Sequence, residues 1–168
     1  MSNQPPSTEN PTAELTTYFH APLNLSMRVP TAWNGQLLEQ GGLRLLAPPH
    51  PLTGYRASMD VVQGAPDGET VAWMEDFFVQ VGQRQAETYL GYHIVEEERY
   101  ALSSGAQVCA RWYGWHELET GRTYAQVQAL VWIDAERLLL INGATLDVLA
   151  ERDLPLFRAF LRGLRVIA

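Results

Sequence analysis

Four histidines, His20, His50, His93 and His116, one cysteine, Cys109, and the carboxylate run Glu96-Glu97-Glu98 are the side chains best suited to chemistry. None of the histidines pairs with another at the spacing a helical metal site needs. Trp115-His116-Glu117-Leu118-Glu119 sets a histidine near two carboxylates, but there is no second histidine in the His-Glu-x-x-His position. On a strand His116 and Leu118 share one face while Glu117 and Glu119 share the other. Glu96 and Glu98 would also share a face, where two like charges need solvent or arginine to sit together. Ser103-Ser104-Gly105 reads as a turn, since it lacks the Gly-x-Ser-x-Gly nucleophile elbow. Cys109, between Val108 and Ala110, reads as a small buried hydrophobe, and a lone cysteine forms neither an intramolecular disulfide nor a cysteine-based zinc site. All 12 basic residues are arginine. Without lysine there is no Schiff-base or phosphate-loop chemistry, and no glycine-rich phosphate cradle is present. No cofactor or metal is expected.

The aromatic pattern carries more information. Arg111-Trp112-Tyr113-Gly114-Trp115 puts Trp112 on one face of a strand and Tyr113 and Trp115 on the other, and the next strand puts Tyr124, Leu130 and Trp132 on one face. Large apolar groups thus occupy both sides of the same sheet region. Helices on both sides would absorb them into a core. Alternatively, one end of the sheet is a hydrophobic cleft or partner surface built from Arg111, Trp112, Tyr113, Trp115, Tyr124 and Trp132, where rigid rings bury area at little rotamer cost.

These residues need positioning elements. Leu23, Leu25, Met27 and Val29 alternate with polar residues up to Pro30, a half-buried strand, and Trp33-Asn34-Gly35 reads as a turn. Leu43 to Ala47 follows Gly41-Gly42 as a hairpin strand, and Arg56 to Gln63 is another. After the Ala65-Pro66-Asp67-Gly68 turn, Val71, Met74, Phe77, Phe78 and Val81 fall at helical spacing with Thr70 as cap, predicting a helix over about 70–86. Strands over 89–100, 107–118, 123–133 and 138–145 follow, separated by short turns. A closing helix over about 152–164 carries Leu154, Phe157, Leu161 and Leu164, with Pro155 in its first turn. It would cover the Ala125, Val127, Ala129, Val131, Ile133 face. Hairpins dominate and no βαβ pattern appears, so the fold class is α+β with an antiparallel sheet.

The chain has 168 residues, one domain's worth, and a net charge of -7, which argues against a nucleic-acid binder. No apolar run is long enough to span a membrane. Residues 1–16 are polar and proline-rich and are expected to be a disordered tail before a single domain over 17–168, with the cytoplasm as the default location.

The strand ending in Val29-Pro30 with its Pro30-Thr31-Ala32-Trp33 turn, the strand with Tyr124, Ala125 and Ala129, and the terminal Phe157-Arg158-Ala159-Phe160-Leu161-Arg162 segment together resemble the PsbP/Mog-type superfamily, including DcrB-like proteins and the Eag-type chaperones of type VI secretion. The likeness covers about residues 18–167 and departs at Gly163-Leu164-Arg165, where the family usually has Ser-Phe. It implies an antiparallel sheet packed between helices in an α/β/α sandwich. It also implies a non-enzymatic adaptor or chaperone, a protein partner such as an effector segment, and, on the Eag-type pattern, a homodimer. The alternative is a small-ligand carrier or enzyme of the helix-grip (START-like) kind, which needs a cavity between closing helix and sheet. A third reading is an immunity-type protein whose acidic surface blocks a basic toxin.

Overall fold

The computed structural model describes residues 13–66 and 72–167. Ten strands and two helices follow in chain order: β1 (Leu15–His20), β2 (Leu25–Pro30), β3 (Asn34–Leu37), β4 (Leu43–Leu46), β5 (Ser58–Gly64), α1 (Ala72–Thr88), β6 (Leu90–Ala101), β7 (Gln107–His116), β8 (Thr123–Asp134), β9 (Arg137–Leu146), α2 (Ala150–Arg162) and β10 (Arg165–Val166). Seven strands form one antiparallel sheet in the order β3-β4-β5-β9-β8-β7-β6, and β1-β2-β10 form a second.

Alternation on β7, β8 and β9 sorts the side chains of the large sheet onto two faces. One face carries Ala110, Trp112, Val127, Ala129, Val131, Leu139 and Ile141, and α2 covers it with Phe157, Phe160 and Leu161. Leu25, Met27 and Val29 of β2 join that core, so the small sheet and α2 share a layer. The other face carries Cys109, Leu130, Trp132 and Leu138, and Met74 and Phe78 of α1 close over them. The expected arrangement, an antiparallel sheet between helices, is the one formed.

Contact between α2 and the sheet is direct. A Cβ on Gly143 would come within 3.0 Å of Phe157 and 2.8 Å of Val127, so the bare glycine backbone is what lets the helix ring sit down on the strand. Phe157 is fully buried there. This close contact fills the space that a helix-grip cavity would need.

Several expectations shift. Leu15 and Thr16, placed in the tail, belong to β1 and pair with Pro30 and Val29; residues 1–12 lie outside the described residues, as do Asp67-Gly68, the Thr70 cap and Val71. The turn at Trp33-Asn34-Gly35 sits earlier, at Thr31-Ala32, because the Trp33 N–H closes it on the Pro30 carbonyl at 2.9 Å, and Asn34 and Gly35 already pair in β3. Pro155 lies inside α2 rather than in its first turn, since a 3₁₀ turn at Asp147–Leu149 starts the helix early. There its missing N–H removes one hydrogen bond.

Candidate functional site

The six residues read as one surface divide across the sheet. Trp112 faces α2, where it is 2% exposed, donates its indole N–H to Glu98 at 3.0 Å and carries the Arg158 guanidinium 4.4 Å over its ring. Arg111, 5% exposed, runs beneath α1 and donates to Glu97 at 2.8 Å and to the Phe78 carbonyl at 2.6 Å. Gly82 of α1 leaves it room, because a Cβ there would collide with the guanidinium. Tyr113, 6% exposed, packs against Tyr92, and burial pushes its hydroxyl pKa well above the ordinary tyrosine value. Trp132, 9% exposed, packs against Trp73. These four are core residues, not an open partner surface: two helices cover the two faces, and each takes its share of the rings.

Trp115 and Tyr124 remain partly accessible and anchor a different constellation. They face one another in register across β7 and β8 and stack at 4.9 Å. Tyr89, where α1 hands over to β6, stacks on the other side of Trp115 at 4.4 Å. Tyr55, in the loop before β5, packs against Tyr124 at 6.1 Å, with Arg122 lying 5.8 Å over its ring. The result is a row Tyr89–Trp115–Tyr124–Tyr55 of four half-buried rings beside the end of α1. Two of its polar atoms are held in place: Trp115 donates to Gln126 at 3.1 Å and Tyr124 to Glu117 at 3.2 Å. Burial, followed by the neighbouring Tyr124, pushes the Tyr55 hydroxyl pKa up to about 12. Sequence reasoning missed Tyr55 and Tyr89 because Tyr55 lies just before a strand and Tyr89, read as the first residue of one, sits between α1 and β6; the signal was a tyrosine at each of two element boundaries.

Groups suited to catalysis stay apart. His20 contacts the Gly41 carbonyl, His50 accepts from the Leu52 and Thr53 N–H groups, and His116 meets Thr123. Among the described residues no group of three or more His, Cys, Asp or Glu is placed to hold a metal ion. The acidic run is neutralised from both sides. Glu97 pairs with Arg111, while Glu96 and Glu98 take Arg158 at 3.0 and 2.6 Å, and Arg162 adds a contact to Glu98 at 3.2 Å. An acidic face for a basic toxin therefore loses its strongest element to internal pairing.

Surface concavities formed by the described residues include two of more than about 600 Å³. An apolar groove of about 670 Å³ at the start of α2 is lined by Trp33, Pro48, Pro49, Pro51, Pro155 and Leu156. A more polar cleft of about 610 Å³ lies between β2, β10, the end of α2 and the β6–β7 turn.

No protein-family profile and no curated protein matches the chain. Solved structures do. LpqN of Mycobacterium tuberculosis, involved in cell envelope biogenesis, superposes with a TM-score of 0.65 at 11% identity over 94% of this chain and 92% of its own. The cyanobacterial PsbP of Synechocystis matches at 0.60 and 12% identity over 92% and 93%. The Ran-binding protein Mog1p of Saccharomyces cerevisiae matches at 0.60 and 11% identity over 93% and 97%. The chain has a PsbP/Mog-like fold. At such low identity the likeness establishes architecture, and function has to be argued from the site. Among the described residues, no helix of this PsbP/Mog-like domain is long and apolar enough to cross a membrane.

Proposed function

We propose that this chain is a protein-binding module without a catalytic step of its own, and that it receives an apolar segment of a partner protein on the row Tyr89–Trp115–Tyr124–Tyr55. The row carries this reading: four half-buried rings in contact, with Tyr89, Trp115 and Tyr124 stacked, Tyr55 tilted against Tyr124, the Trp115 and Tyr124 polar atoms bonded, and Arg122 at the rim. Rigid rings supply contact area with few rotamers to freeze, the usual make-up of a binding hot spot. The finer reading, a cytoplasmic and dimeric chaperone for an effector segment, draws support from the resemblance to Eag-type chaperones.

The test compares tagged wild type with Trp115→Ala and Arg122→Glu variants, each purified from its native host and passed over size exclusion with light scattering. Wild type is expected to elute with a protein companion identified by mass spectrometry, and both variants to lose it while keeping the wild-type circular dichroism. Arg122 sits at the exposed rim, so its variant stays informative if the Trp115 variant unfolds. A companion retained equally by both folded variants would exclude the row, and a bound small molecule in its place would favour the carrier.

A further inference from the structure

Nine of the twelve arginines are engaged within the fold. Arg44, Arg99, Arg111, Arg152, Arg158 and Arg162 form ion pairs, Arg56 and Arg137 donate to the carbonyls of Ala47 and Leu23, and Arg122 covers Tyr55. Among the described residues Arg28, Arg84 and Arg165 have no ion pair and no side-chain hydrogen bond. Two of these three converge. Arg165 of β10 stands opposite Ser26 of β2, two residues before Arg28, so all three side chains share the outer face of the small sheet. Both arginines line the 610 Å³ cleft together with Arg162, Tyr100, Ser26 and Ser103.

The far wall is ordered to match. Arg162 lies 3.6 Å from the centre of the Tyr100 ring and is held by Glu98, so its charge is largely balanced, while those of Arg28 and Arg165 are not. Below the guanidinium, the Tyr100 hydroxyl is buried with no hydrogen-bond partner. Two unbalanced guanidiniums at one cleft, in a chain of net charge -7, form a local inversion of charge, and two serines add neutral hydrogen-bonding groups beside them.

Size and charge select the occupant. At about 30 Å³ per water the cleft holds roughly twenty waters, far more than one free oxyanion displaces. A nucleic acid or an anionic bilayer would meet the acidic molecule as a whole, whereas a short segment feels only the field within a Debye length of about 8 Å. Guanidinium forks pair with carboxylates in bidentate fashion, and Leu102 and Leu164 on the cleft wall offer apolar contact between the charges. We infer that this cleft binds a short acidic peptide segment, with Arg28 and Arg165 taking its carboxylates and Tyr100 and Arg162 forming the wall behind. The inference stands apart from the aromatic row, which is built from other elements.

Fluorescence anisotropy with labelled hexaglutamate tests it. Saturable binding at low salt is expected, weakened about tenfold or more by Arg28→Gln combined with Arg165→Gln. Both side chains are exposed, and circular dichroism checks that the fold is kept; Arg28→Gln alone serves if the double variant misfolds. The Trp115→Ala variant should bind hexaglutamate as wild type does, which separates this site from the row. Absence of saturable binding, equal binding by the arginine variants, or equal binding of labelled hexaglutamine would overturn the inference. Competition by inorganic phosphate at the same concentrations as unlabelled hexaglutamate would replace the peptide with a simple oxyanion.

Discussion

A methyl group at Gly143 would lie 2.5 Å from the Met59 sulfur as well as against Val127 and Phe157, all of them buried. Gly143→Ala is therefore expected to cost about 1–3 kcal/mol, read as a lower urea midpoint at unchanged slope. The Cys109 thiol is buried and its pKa is raised by desolvation, so a thiol reagent should label it in urea and hardly at all in the native protein at pH 8. Fast native labelling would contradict that burial. Tyrosine gives the pH dependence. Burial lifts Tyr55 and Tyr100 to about 12 and Tyr113 further, against about 10 in the unfolded chain. Above pH 10 the unfolded chain gives up protons that the fold keeps, so stability is full below about 10 and falls between about 10 and 12. Thermal midpoints across that range, with tyrosinate absorbance at roughly 295 nm, should show late titration coinciding with unfolding. The burial of Cys109 was legible from its neighbours alone, whereas the lifted tyrosines were not, because each owes its environment to an element distant in sequence.

Among the elements, β6 is tied to α2 through Glu96 and, with more bonds, Glu98. Glu98 accepts from the Trp112 indole, from Arg158 and from Arg162, tying the edge strand to the helix over 60 residues of sequence. Glu98→Gln keeps the shape but removes the charge from two ion pairs, and should destabilise by about 1–3 kcal/mol, with the difference from wild type shrinking in high salt. The four long strands and their turns were legible because alternation and turn residues such as Ser103-Ser104-Gly105 are local signals. The strand β1 was not, since a single residue of it, His20, is buried and its pairing with β2 is a tertiary fact. The aromatic faces were assigned correctly and their exposure was not. Alternation says which side a ring takes, but only the path of α1 along β7 decides that Tyr113 and Trp132 are covered while Trp115 and Tyr124 emerge.

The whole molecule has one principal core. Leu25, Met27 and Val29 from the small sheet and Met59, Val61, Ala129 and Ile141 from the large one meet around Phe157 and Leu161. The two sheets should thus unfold together, with tryptophan fluorescence and far-ultraviolet circular dichroism giving coincident urea transitions; separate midpoints would mean that the small sheet is an independent unit. The same interior has a use as material. Cutting Phe157 back to alanine would hollow out a dry, hydrocarbon-walled chamber beneath α2, and such chambers accept xenon or benzene. Either guest should raise the melting temperature of the Phe157→Ala protein and leave that of the parent unmoved, so one aromatic ring separates a solid scaffold from a vessel.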